Sequence, residues 1–114
     1  VLDLRILEEM GVVPSGGSGG VAREIVTLFL REERPRMERL ARLMAERNGP
    51  DLAQAVHNLA GSSAILGARQ VQAAAIALEL SARAQAWPET TTHWASLQGA
   101  WARLERALAG FQHT

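Results

Sequence analysis

The stretch VHNLAGSSAILGA, Val56–Ala68, places an imidazole, a glycine one turn later, two serines and a second glycine inside sequence that otherwise reads as Ala/Leu helix. On a wheel at about 100° per residue, the segment from about Pro50 to Leu66 gathers Leu52, Val56, Leu59, Ser63 and Leu66 on one side. His57 falls roughly 140° from Leu52, and Gly61 lies opposite it. The segment therefore reads as an amphipathic helix with His57 facing solvent. Glycine in a helix interior costs about 1 kcal/mol relative to alanine, so Gly61 does not serve helix stability. Because residues i and i+4 share a face, it leaves one flank of the imidazole open. Two readings follow. An exposed imidazole with an uncrowded approach can act as a nucleophile through the lone pair of its neutral form. The plainer reading, which geometry alone favours, is an ordinary surface histidine beside a helix-packing glycine. Ser62 and Ser63 read plainly too, as small residues allowing close helix contact, with hydroxyls returned to carbonyls a turn back.

Working outward, the chain is helical throughout. β-Branched residues are scattered, tyrosine is absent, and no stretch alternates for long. Leu2–Met10 reads as a short helix ended by Gly11, and GVVPSGGSGG (residues 11–20) as a flexible connection. From about Val21 to Arg47 the helical pattern returns, with Val26, Phe29, Met37, Leu40 and Met44 along one stripe. Pro35 predicts a kink near Arg31–Arg34, and the charge run REERPRMER reads as a solvated face. NGPD (Asn48–Asp51) closes this helix and opens the next, with Pro50 in its first turn. Gly67 is the expected left-handed cap of the His57 helix. The following helix, Ala68 to about Ala86, carries Val71, Ala75, Leu78 and Ala82 on one face until WPETTT breaks it. The last, about Thr91 to Ala109, has Trp94, Leu97, Trp101, Leu104, Leu108 and Phe111 at alternating spacings of three and four. Four amphipathic helices with short connections predict one all-α domain over residues 1–114. It is an up-down antiparallel four-helix bundle (21–114) with an accessory N-terminal helix (1–10) as a cover.

Composition narrows the function classes. The sequence has 114 residues and no cysteine, which excludes a disulfide framework or thiolate metal site and fits a reducing compartment. Twelve basic residues, all arginine, balance twelve acids, so neither a nucleic-acid footprint nor a polybasic membrane patch is indicated. No apolar run approaches the roughly 20 residues that span a bilayer, and no signal-peptide pattern opens the chain. A soluble, cytoplasmic protein is expected, a piece of a longer chain or one trimmed at its start, since it lacks an initiator Met. His93 and His113 have no metal-ligand spacing around them. GGSGG lacks the lysine and hydroxyl helix start of a phosphate loop, so no ATP site is expected. Trp94 and Trp101 read as core, and Trp87, before Pro88, as a hinge plug or partial surface contact.

The string HNLAGSSAILGA, with Leu78-Glu79 further on, strongly resembles the phosphoacceptor helix of histidine phosphotransfer (HPt) domains. That family reads His, any residue, Leu, Lys, Gly, Ser, Ser, a short gap, Leu-Gly-Ala and, later, Leu-Glu. His57, Leu59, Gly61, Ser62, Ser63, Leu66, Gly67, Ala68 and Glu79 match. The resemblance extends upstream to TLFLREERPRMERL, where the family often carries a similar Phe-Leu and Pro, and covers most of the chain. Ala60 departs from it, standing where the family usually has a lysine thought to meet the phosphoryl oxygens.

The resemblance implies a phosphorelay intermediate in two-component signalling, without kinase activity of its own. His57 would accept a phosphoryl group from a receiver-domain phospho-aspartate and pass it to another receiver, with Nε2, the outward nitrogen, as the acceptor. Gly61, Glu79 and Arg83 are the supporting residues, Arg83 as a replacement cation for the missing lysine or as a plain surface arginine. Gln54, Asn58, Ala60, Ala64 and Ile65 form the expected docking patch. With no acidic cluster for a metal, the domain needs no cofactor of its own and the magnesium would belong to the partner receiver. The implied partners are response-regulator receivers and a hybrid sensor histidine kinase, in the same or another chain. Nucleic acid, direct membrane insertion and a stable oligomer are not expected. Two alternatives stand beside this: a module that docks a receiver or kinase without being phosphorylated, and a dimerising bundle resting on the seam from Trp94 to Phe111.

Overall fold

The computed structural model describes residues 19–112. Among them are four helices and no strand: α1 (Gly19–Glu46), α2 (Gly49–Leu66), α3 (Arg69–Arg83) and α4 (Trp87–Gln112). The predicted Leu2–Met10 helix, most of the 11–20 connection, His113 and the Phe111 side chain lie outside the described residues. The connection is shorter than expected at its far end, since Gly19 and Gly20 already belong to α1. Each helix packs on its sequence neighbours, and α1 closes the ring on α4. Connections of two or three residues force successive helices antiparallel.

Three helix ends share one device. In the left-handed conformation stand Arg47 (φ 51°), Gly67 (φ 82°) and Gln85 (φ 54°), each just past a helix. At each, the N–H of that residue and of the next fold back to the last turn, as Gly67 N to Ala64 O and Ala68 N to Ser63 O. Glycine is the residue this geometry prefers, and Gly67 carries it as the sequence predicts. Arg47 and Gln85 adopt it despite their Cβ atoms. At the start of α2, Asn48 caps Asp51 N through its side-chain oxygen at 3.3 Å and donates from Nδ2 to the Asp51 carboxylate at 3.0 Å.

One helix expectation is corrected. WPETTT does not break the chain before α4 but forms its first turns. Pro88 stands where a missing N–H is harmless, and Thr90, Thr91 and Thr92 donate their hydroxyls to the carbonyls of Ala86, Trp87 and Pro88. Trp87 packs against the core, with the Arg47 guanidinium 5.9 Å from its ring centroid. Helix α1 is continuous on both sides of Pro35.

The core is the predicted one in α3 and α4: Val71, Ala75, Leu78 and Ala82 meet Leu97, Trp101, Leu104 and Leu108. Phe29 of α1 lies against Trp101, ring centroids 5.9 Å apart. From α2 come Leu52, Val56, Leu59 and Leu66, with the small Ala53, Ala55 and Ala60 between them. The charge run on α1 is not wholly a solvated face. Glu33 is fully buried, with one carboxylate oxygen 2.6 Å from Arg36 Nη1 and the other without a partner. Desolvation pushes its carboxyl above the usual range, against the pull of Arg36. Ser63 departs from expectation as well. Its hydroxyl is buried without any hydrogen-bond partner rather than returned to a carbonyl.

Candidate functional site

His57 projects from the middle of α2 with 62% of its side chain exposed, as the wheel position requires. Its neighbour across the helix pair is Glu79, whose Oε1 lies 3.2 Å from Nδ1. An ionised carboxylate can only accept, so in this contact Nδ1 carries the ring proton and Nε2 of the neutral ring keeps its lone pair. Glu79 is held in turn. Arg83, one turn along α3, donates from Nε at 3.0 Å and from Nη2 at 2.9 Å to the other carboxylate oxygen, Oε2. The three side chains form one chain of contacts from α2 to α3.

Gly61 decides between the two readings of its own role. A Cβ built there meets nothing within 4 Å, and its backbone is ordinary helix. It is neither a packing glycine nor a conformational one. Gly49, by contrast, packs tightly: a Cβ there would stand 3.0 Å from the Ala82 carbonyl oxygen. The space beside the imidazole is open because Gly61 has no side chain.

The expected docking residues divide. Gln54 and Asn58 are exposed and joined by a 3.3 Å hydrogen bond, and Ile65 is 64% exposed. Ala64 is half-buried in the groove between α2 and α3. Ala60 is corrected. At 8% exposure its methyl belongs to the core edge and forms the floor of that groove rather than an outward contact. Arg83 is placed in an ion pair with Glu79. Its guanidinium is engaged with Glu79 beside Pro50 of α2, on the side of His57 opposite to Ala60.

Three apolar residues around the site escaped the sequence reading. Ile76 and Leu80, the latter 65% exposed, line the groove beside His57, and Leu28 of α1 stands across a second groove from Ile65. All are large, apolar and exposed. A wheel for α3 carries the signal, because Ile76 and Leu80 fall outside its Val71, Ala75, Leu78, Ala82 stripe. Among the described residues no cluster of His, Cys, Asp or Glu could hold a metal ion, and no helix is long and apolar enough to cross a membrane.

The site is an exposed imidazole held against a carboxylate on a four-helix bundle. Comparison with known proteins supplies the class. The Hpt domain profile matches residues 24–110, and the chain belongs to that family. Its role is phosphotransfer in two-component signalling, a family role that involves receiver domains and histidine kinases. In solved structures the fold is similar to that of a rice protein described as a candidate histidine-containing phosphotransfer protein. That match has a TM-score of 0.81 and 21% identity over 98% of this chain and 79% of that one. It is also similar to the histidine-containing phosphotransfer protein of maize, with a TM-score of 0.79 and 20% identity over 98% and 85% of the two chains. Comparison with curated proteins finds no match.

Proposed function

We propose that this domain is a phosphorelay carrier in which His57 is the phosphoacceptor. The observation that carries the reading is an exposed ring whose Nδ1 is tied to Glu79, beside an unfilled flank at Gly61. In the forward step the Nε2 lone pair attacks the phosphorus of a receiver aspartyl phosphate in line. The Nε2–P bond forms as the acyl-phosphate P–O bond breaks, and that electron pair leaves on the aspartate carboxylate. The ring, still protonated at Nδ1, becomes cationic, and Glu79 faces the charge as it develops. The return step, to a second receiver aspartate, is the same displacement reversed. Such transfers depend on alignment and charge neutralisation, which suits a ring fixed on a rigid helix.

The magnesium and its acidic ligands come from the receiver, since the described residues offer no metal-holding cluster beside the ring. The docking surface is Gln54, Asn58, Gly61 and Ile65 on α2, extended by Ile76 and Leu80, an apolar patch rimmed by polar side chains. The domain acts as a monomer in the cytoplasm and has no kinase activity of its own.

Ala60 favours one second reading, a module that docks a receiver without being phosphorylated. Incubating the domain with a phosphorylated receiver, then assaying acid-labile, base-stable phosphate alongside binding, separates the two. Phosphate acquired by the domain supports the carrier. Tight binding with no acquired phosphate overturns it in favour of the silent module.

A further inference from the structure

Glu79 is able to orient His57 only if its own side chain is held still. A glutamate has three side-chain torsions, and one standing alone on a helix spreads over several rotamers. Here both carboxylate oxygens are committed. Oε2 takes two N–H donors from Arg83 and Oε1 faces Nδ1 of His57. The guanidinium is planar, so the Nε and Nη2 hydrogens converge on Oε2 from a fixed fork and hold that oxygen in place, leaving Oε1 turned to Nδ1 of His57. Arg83 and Glu79 are four residues apart on α3, so the fork is built into the helix.

We propose, resting on the phosphoacceptor reading of His57, that Arg83 is a positioning residue acting through Glu79. By occupying Oε2 it leaves Oε1 as the acceptor for Nδ1–H and so keeps the Nε2 lone pair turned outward for attack on phosphorus. This differs from neutralising the phosphoryl group directly. The guanidinium spends its Nε–H and one Nη2–H on Glu79 and lies beside Pro50, away from the open flank at Gly61. The chain thus fixes the tautomer of its nucleophile from one turn away along the neighbouring helix. Lysine, a point charge on a flexible stem, would hold the charge balance but not the direction.

The test reads the tautomer without any phosphoryl donor. In protein with nitrogen-15 in its histidine rings, at mildly alkaline pH, the ring nitrogen shifts report the ratio of Nδ1–H to Nε2–H. The parent should favour Nδ1–H. Arg83→Ala should lower that ratio by about two- to fivefold, the range set by a partly exposed ion pair. Arg83→Lys should recover part of it, and Glu79→Ala should set the fully released value. Unfolding curves of Arg83→Ala close to the parent's would show that the shift does not come from loss of fold. The proposal is overturned if Arg83→Ala keeps the parent ratio while Glu79→Ala loses it, or if Glu79→Ala leaves the ratio unchanged. Transfer from a phosphorylated receiver is measured separately, where Arg83→Ala should slow the step without weakening receiver binding. If His57→Gln still acquired phosphate, the acceptor reading would fail while the tautomer result stood.

Discussion

Replacing Gly61 separates a glycine kept for space from one kept for packing. A Cβ at this position meets no atom within 4 Å, so a side chain adds no clash and gains no contact. The stability change then reduces to helix propensity. Alanine should stabilise by about 1 kcal/mol and glutamine by somewhat less, roughly 0.5 kcal/mol. For a domain of this size these correspond to melting temperatures raised by about 2–5 °C. Function should move the other way. A glutamine beside the ring stands between His57 and an approaching receiver, and displacing reacting atoms by about 1 Å costs on the order of 100-fold in rate. Gly61→Gln should therefore unfold at higher urea yet accept phosphate at least about 100-fold more slowly, with Gly61→Ala in between. Gly49→Ala is the internal control. Its Cβ would press on the Ala82 carbonyl at 3.0 Å, and that variant should be destabilised. The reasoning is refuted if Gly61→Gln melts below the parent, or if it transfers at the parent's rate.

Three further outcomes follow from other parts of the molecule. Ala60→Lys should fold, its stem lying along the α2/α3 groove with the ammonium at the rim, and should raise the transfer rate; an unchanged rate in receiver assays would mean that a cation on this flank does nothing here. Gln85→Gly should stabilise by about 1 kcal/mol in urea titrations, because the left-handed conformation at φ 54° then carries no Cβ penalty. Buried Glu33 should make stability depend on pH. Its carboxyl is raised in the folded state, so folding takes up a proton there; the resulting stability is fully present below the unfolded pKa and is lost as pH rises through the folded one. Glu33→Met should accordingly be more stable than the parent at neutral pH, on the order of 1 kcal/mol, with the difference shrinking toward acid pH in matched urea titrations.

The helical pattern and the exposure of His57 were legible because both rest on periodicity, whereas the reading of His57 as the acceptor rests on the family motif HNLAGSSAILGA. Leu52, Val56 and Leu59 point inward, so His57 must point out, and the structure agrees. Features that depend on how one helix meets another were not legible. Glu33 lies in a charge run that reads as solvated, yet its place beside Leu30 and Phe29 on the inward stripe of α1 buries it. The three threonines after Trp87 read as a breaker, but their back-bonded hydroxyls let α4 begin four residues earlier than the pattern predicts. Ala60 read as a surface residue because the family's lysine stands there, although an alanine cannot reach past the core edge. The partnership of Arg83 with Glu79 was half legible. Their spacing permits an ion pair, but only the packing of α3 on α2 turns the other oxygen of Glu79 toward His57.

In the proposed relay, Nε2 of His57 carries the phosphoryl group. This is tested most directly by phosphorylating the nitrogen-15-labelled domain with a phosphorylated receiver and recording the coupling between phosphorus and ring nitrogen. One phosphorus resonance coupled to Nε2 of His57 is expected, stable in base and lost in acid. His57→Gln should lack it while unfolding within about 0.5 kcal/mol of the parent, as expected of an exposed site. Coupling to Nδ1, or a phosphoryl group carried on His93 or persisting in His57→Gln, would rule out Nε2 of His57 as the carrier.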